Sequence, residues 1–235
     1  MNRTLDPIKF IRHADPSKPF VVAQLGQSLD GRIALPSGES RYINGAAALD
    51  HLHRIRAAVD AVIVGAGTVL ADDPLLTVRR VDGENPVRVI IDPNGRLSSR
   101  HRCLALDGTR VIVLRKKGCE ITPAAGGEAI FLDSSGSGFE CRSIVSTLFG
   151  LGLRRILVEG GATTVSRFFE ERQLDRLHLL LGPVFLGAGV SSFNLSAPSR
   201  LSDAIRVAPD IYPLDGGDIL LDCDLRAERK AGVTD

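Results

Sequence analysis

At 235 residues and 44% hydrophobic content the chain is long enough to build a real core, as one large α/β domain or two small ones, which excludes a disordered or fibrous polypeptide. Lys and Arg total 29 against 28 for Asp and Glu, so no general electrostatic field draws the chain to nucleic acid or an anionic membrane, and any anion binding must be local. Cys103, Cys119, Cys141 and Cys223 form no CxxC pair and read as buried or idle thiols; with no signal-length apolar core at the N-terminus and no run of the ~18 apolar residues a membrane span needs, a cytoplasmic protein is expected.

Residues 1–19 are mixed and proline-bearing, a leader expected to lie on the surface or against a partner. The fold starts near Phe20 with a buried strand over 20–25. A helix follows over 46–58, with Leu49, Leu52 and Ile55 at helical spacing and Asn44 as a plausible N-cap. Apolar runs bounded by turn residues then recur at 61–64, 87–91 and 110–114. Rich in β-branched residues and alternating little, they predict strands buried on both faces and a largely parallel sheet. Residues 123–138 read as a loop around one short strand at 129–132. A helix over 143–150, a strand over 155–158, a helix after Gly160-Gly161 and a strand over 177–181 complete the α/β pattern. The run 218–225 alternates more cleanly, as an antiparallel strand nearer an edge does, and 226–235 reads as a disordered tail. No repeat or linker divides the chain, so a single mixed-sheet domain over 20–225 is expected.

The strongest cluster is Glu159-Gly160-Gly161-Ala162-Thr163-Thr164. A strand ending in this way puts a carboxylate at its tip and bare amides at a helix start, which suits a phosphate-bearing ligand, although a glycine pair is also ordinary turn chemistry. Buried there, Glu159 needs a partner, for which a sugar hydroxyl or ring N–H would serve. Gly65-Ala66-Gly67-Thr68 begins like a dinucleotide fingerprint but has Leu70 where the third glycine would fall, so a strict Rossmann fold is disfavoured. It reads instead as a glycine turn continuing through Asp72-Asp73-Pro74 to Thr77 and Arg79, where Arg79 offers a fork of donors to phosphate or is merely solvated. His51 and His53, two residues apart, face different sides of a helix, which argues against a shared metal. With no nucleophile elbow, Walker sequence or zinc motif, the site is expected to bind cofactor and substrate rather than carry a nucleophile.

In order along the chain, Ser28-Leu29-Asp30-Gly31-Arg32-Ile33-Ala34, Ser37-Gly38-Glu39-Ser40, Gly65 through Asp73-Pro74 to Arg79, Arg88-Val89-Ile90-Ile91-Asp92 and Val158-Glu159-Gly160-Gly161 resemble the reductase domain of riboflavin biosynthesis, which in many bacteria is fused behind a zinc deaminase. The resemblance implies a dihydrofolate-reductase-like α/β fold, a three-layer arrangement with a central mixed, mostly parallel sheet flanked by helices. It also implies NADPH as cofactor, a phosphorylated pyrimidine as substrate and a homodimer, with Val184-Phe185-Leu186 serving either an interface or the core. By match to the family, Ser40, Arg56, Leu76, Arg79 and Glu159 are substrate contacts. Gly26, Tyr42, Thr68, Asp72, Gly160, Gly161, Ala162, Thr163, Thr164, Val165, Ser166 and Arg167 are cofactor contacts. Arg32, where many members have lysine, is with Glu159 the catalytic candidate, stabilising charge because an arginine stays protonated. No metal is implied. Tyr42 stands where tryptophan is common, and Pro93 where a small polar residue often meets the adenosine end. That shifts reading of the 2′-phosphate to Asn94, Arg96 or the trio Arg115, Lys116 and Lys117. The implied reaction reduces a ribosyl group to ribityl by hydride transfer to C1′ of the opened sugar imine, the deaminase being a separate protein. The alternatives are a same-fold NADPH reductase of another heterocycle, a pterin or a secondary-metabolite pyrimidine, or a non-catalytic nucleotide-binding subunit.

Overall fold

The computed structural model describes residues 6–119, 127–134, 136 and 138–226. In chain order the elements are α1 (Lys9–Arg12), β1 (Phe20–Ser28), β2 (Arg32–Ala34), α2 (Ala46–Arg56), β3 (Ala61–Gly65), α3 (Ala66–Asp72), β4 (Val87–Ile91), β5 (Val111–Lys116), β6 (Gly127–Leu132), α4 (Cys141–Gly150), β7 (Arg155–Glu159), α5 (Ala162–Glu170), β8 (Arg176–Gly182), β9 (Val190–Ser191), β10 (Asp210–Pro213) and β11 (Ile219–Asp224). Nine strands form one sheet in the order β10-β11-β8-β1-β7-β3-β4-β5-β6. From β8 to β6 every pairing is parallel, while β11 runs antiparallel to β8 and β10 antiparallel to β11. β2 and β9 pair separately.

The unbroken apolar runs have a simple cause. Successive side chains point to opposite faces, and both faces are covered. Val21, Ala23, Ile63, Ile156 and Val158 pack on one side with Ile144 and Leu148 of α4 and Val165 and Phe168 of α5. Val22, Val62, Ile90 and Leu157 pack on the other with Ile55 of α2 and Val69 of α3. The result is the expected three layers, with the helix-bearing C-terminal ends of seven parallel strands at one edge.

Several local expectations give way to tertiary contacts. The described part of the leader is only partly on the surface: residues 15–18 are exposed, but Ile8 and Ile11, both fully buried on and beside α1, join the α2 side of the core. Residues 66–72 form a helix, α3, rather than a glycine turn, ending where Asp73 turns left-handed at φ 41°. Asn44 does not cap α2. Gly45 is the N-cap, and the Asp218 carboxylate holds both, accepting from Asn44 Nδ2 at 2.9 Å and from the Gly45 N–H at 2.8 Å. That carboxylate comes from the β10–β11 turn, so no local pattern announces it. β11 is antiparallel as expected and second from the edge. The edge is β10, a mostly exposed strand whose sequence carries little strand signal. The proposed tail beyond Arg226 and residues 123–126, 135 and 137 of the 123–138 loop lie outside the described residues.

Candidate functional site

The parallel strands end together, and the tips of β3 and β7 hand over to α3 and α5 in a knot of small residues. Gly160 has φ +120°, and a Cβ there would sit 3.2–3.3 Å from Thr68 and Val64. One on Gly65 would lie 2.8 Å from Thr164 Oγ1, and one on Gly161 2.9 Å from Thr68 Oγ1. Glycine is therefore required by close approach as well as by backbone angle. Thr68 Oγ1 accepts the Gly161 N–H at 2.9 Å, locking the start of α5 to α3. At the strand ends, between α3 and α5, this knot opens into a cavity of about 560 Å³ that exposes the first turn of α5.

A polar cluster lies on the α2 side of the sheet. Side chains alternate along β7, so Glu159 shares the face of Leu157 and points towards α2, away from the face occupied by Ile156 and Val158. There it meets Arg56, in the last turn of α2. Arg56 Nε donates to Oε2 at 2.8 Å, Nη2 donates to Oε1, and Nη1 donates to the Thr77 carbonyl at 2.9 Å. Both side chains are largely buried, 5% and 13% exposed, so each charge needs the other. The following residues are tied to the same helix, because His53 Nδ1 accepts the Arg79 backbone N–H at 3.0 Å. Burial, then the cations Arg56 and Arg79, pull the His53 pKa down to about 4. Arg79 is exposed and has no ion-pair partner among the described residues. Partial burial and then its arginine neighbours lower its pKa.

Of the residues expected from sequence, Ser40, Thr68, Asp72, Gly161, Ala162, Thr163, Thr164 and Arg167 line the cavity. Arg167 is also anchored, donating to the Phe139 carbonyl at 2.5 Å and to Glu171. Asp72, at the mouth, has its carboxyl pKa raised by partial burial, with Arg41 opposing. Others stand apart. Val165 is fully buried in the core, and Ser166 is used internally, its Oγ accepting the Asn194 N–H at 2.8 Å. Gly26 makes room for Asn44, whose Oδ1 would lie 2.2 Å from an added Cβ. Tyr42 is 89% exposed in a left-handed conformation, outside the cavity lining. Leu76 is fully buried at φ 55°, so it offers backbone rather than side chain.

Two of the cations expected at the site make their contacts elsewhere in the fold. Arg32 does not line the cavity: its Nε donates to the Gly187 carbonyl at 3.1 Å and its Nη1 to Ser191 Oγ at 2.7 Å, tying β2 to β9. Arg115 is no part of a surface trio. It is 1% exposed and donates from Nη1 to the Asp92 carboxylate at 2.5 Å, while Asp92 also accepts the Arg96 and Leu97 N–H groups. Arg96 and Lys116 remain exposed, with Asn94 and Lys117, around a second cavity of about 780 Å³ that shares Pro93 and Arg96 with the first. His51 and His53 do face different partners: His51 Nε2 lies 3.0 Å from His178 Nδ1, far from the Arg79 contact of His53. Sequence reasoning passed over Asn194, which lines the cavity from an irregular loop without any motif to mark it.

The RibD C-terminal domain family model matches residues 19–210. Among similar curated proteins, the riboflavin biosynthesis protein RibD of Aquifex aeolicus is 31% identical over 202 residues, 84% of this chain and 55% of that protein. The 2,5-diamino-6-ribosylamino-4(3H)-pyrimidinone 5′-phosphate reductase of Methanothermobacter thermautotrophicus is 33% identical over 196 residues, 81% of this chain and 90% of that protein. Among solved structures, a diaminohydroxyphosphoribosylaminopyrimidine deaminase/5-amino-6-(5-phosphoribosylamino)uracil reductase from Thermotoga maritima superposes with a TM-score of 0.78 at 30% identity, over 92% of this chain and 59% of that one. The chain thus spans little more than half the length of the Aquifex and Thermotoga proteins. Their likeness bears out the expected dihydrofolate-reductase-like fold.

Arg56 and Arg79 are expected to differ sharply in their effect on stability. Arg56→Met strands a buried carboxylate and should cost about 3–5 kcal/mol. Arg79→Met removes an exposed cation and should change stability by less than about 0.5 kcal/mol. Urea unfolding of both variants checks this; equal losses would contradict the pairing described.

Proposed function

The chain belongs to the RibD C-terminal domain family, and from that premise we propose that it is an NADPH-dependent reductase of riboflavin biosynthesis, converting the ribosyl group of 5-amino-6-(5-phosphoribosylamino)uracil, or of its undeaminated precursor, to ribityl. The observation that carries this reading is the division of the strand ends into two compartments. A cavity between α3 and α5 exposes helix amides, an α2-side cluster offers an unpaired arginine beside a fixed carboxylate, and they meet at Gly160 and Gly161.

The cavity fits a dinucleotide in kind. Its wall at Gly161–Thr164 presents amides and hydroxyls where backbone can approach closely, a setting for a diphosphate at a helix start. Pro93 has no N–H to offer, so the exposed cations Arg96 and Lys116, beyond it in the second cavity, are assigned to the 2′-phosphate. Bound there, NADPH would supply the hydride that reduces C1′ of the opened sugar. The protein's own residues align and shield. Arg79 takes the substrate 5′-phosphate. Arg56 is assigned to holding Glu159 rather than to the phosphate, its charge being already paired. Glu159, each oxygen keeping a free lone pair, accepts from a sugar hydroxyl or ring N–H. Arg32 is assigned to holding β9, whose Val190 lines the cavity, rather than to the reacting atoms.

A homodimer is proposed on the apolar side chains that the chain leaves uncovered around β9 and β10: Phe185 is 74% exposed, Leu201 78% and Ile211 63%. No helix among the described residues is long and apolar enough to cross a membrane. The four thiols are all free, which accords with the cytoplasmic placement proposed here.

Purified protein is expected to oxidise NADPH with one of the two pyrimidine ribosyl 5′-phosphates, offered separately; inertness towards both would overturn the reading. Replacing Arg96 and Lys116 together by Met should reduce the NADPH over NADH preference about tenfold or more, as loss of charge-assisted hydrogen bonds predicts, while leaving NADH turnover intact. Sedimentation equilibrium should report a dimer, and Phe185→Asp with Ile211→Asp should shift it to monomer.

A further inference from the structure

His53 is assigned no contact with substrate or cofactor above, yet its place in the fold gives it a part in the reaction. We infer that His53 is the positioning residue for Arg79, holding the backbone of that arginine so that its guanidinium meets a phosphate monoester on the substrate. The inference rests on the reductase reading and deepens it.

The segment between α3 and β4 has little regular structure of its own, and two of its non-glycine residues, Asp73 and Leu76, are left-handed, at φ 41° and 55°. Such a path persists only when its surroundings over-determine it. Its ends are tied by Asp73, which accepts the Arg102 N–H at 2.8 Å, and by Arg80, whose Nε donates to Asp50 at 2.5 Å, and four contacts hold the stretch between them. The Leu76 side chain is plugged into the α2-side core, the Thr77 carbonyl accepts from Arg56, the Val78 N–H donates to Asn85 Oδ1 at 2.7 Å, and the Arg79 N–H donates to His53 Nδ1 at 3.0 Å. Of these, only the last acts on Arg79 itself. His53 is 1% exposed, so its ring cannot turn aside into water.

The contact requires Nδ1 to be an acceptor, which places the proton of a neutral imidazole on Nε2. Burial first keeps it so, and then the charges around the ring: Arg56 on α2 and Arg79 on the loop disfavour imidazolium, Glu159 on β7 opposes them, and Arg80 adds a smaller push in their direction. A cluster arranged in this way anchors the backbone of one exposed arginine on the helix that also answers the Glu159 charge. Removing the His53 acceptor leaves the Arg79 charge in place but frees its backbone, so what is lost is aim towards the phosphate rather than the chemical step.

The test is steady-state kinetics with the phosphorylated pyrimidine riboside and its 5′-dephosphorylated counterpart. Wild-type protein should favour the phosphorylated form. His53→Leu should raise KM for it about tenfold, the worth of a well-placed hydrogen bond, with kcat and the dephosphorylated KM unchanged. His53→Asn, whose Oδ1 takes the position of Nδ1, should restore most of the preference. In an Arg79→Met background, His53→Leu should cost nothing further. If His53→Leu does not fold, His53→Gln, which keeps polarity but carries the acceptor one bond too far, has the same expected effect. Equal rises in both KM values, an unchanged preference, or additive losses in the double variant would overturn the inference. A wild-type enzyme indifferent to the phosphate would instead overturn the assignment of Arg79, and the inference with it.

Discussion

The pairing of Glu159 with Arg56 is the interaction on which the arrangement of the strand ends depends. A carboxylate at the tip of β7 and a guanidinium in the last turn of α2 are both largely withdrawn from water, and neither charge is tolerable there alone. Their bidentate contact fixes where α2 ends relative to the sheet. Through Thr77 it also fixes where the chain emerging from α3 must pass. The cation left over, Arg79, is defined by subtraction.

α2 is held along its whole length by polar groups from other elements. Asp218 grips its start, His178 of β8 stacks on His51 in its middle with ring centroids 5.1 Å apart, and Glu159 closes its end. Burial and the neighbouring His178 lower the His51 pKa to about 3, so His51 enters that contact as a neutral imidazole. Arg88, Arg115 and Arg176, all but fully buried, are likewise matched with Asp107, Asp92 and Asp222. Near-equality of acidic and basic residues is thus partly an internal pairing rather than a surface property. Such pairs contribute less to net stability than to specificity of position, which is what a site assembled from separate strand ends requires.

The sheet supplies the division that gives the site two sides. A strand presents alternate residues to opposite faces, so Val158 and Glu159, neighbours in sequence, serve different layers. Gly160 and Gly161 lie at the divide, where their lack of side chains lets Thr68 approach the start of α5. A flat reading of Glu-Gly-Gly as one ligand cradle merges two compartments that the pleat keeps apart.

The long apolar strands, their largely parallel sense and the glycines that end β3 and β7 were legible in the sequence. Those follow from hydrophobic runs, glycine positions and ordered motifs, all of which act over a few residues. Tertiary structure alone decided which partner each charge has. Arg56 and Arg79 look alike in sequence, as do Arg115 and Lys116; one of each pair is buried against a carboxylate and the other meets solvent. The edge strand β10, the docking of Ile8 and Ile11 and the inward turn of Asn194 were equally silent. Each rests on contacts between residues distant in the chain, whose energy exists only once the layers have closed.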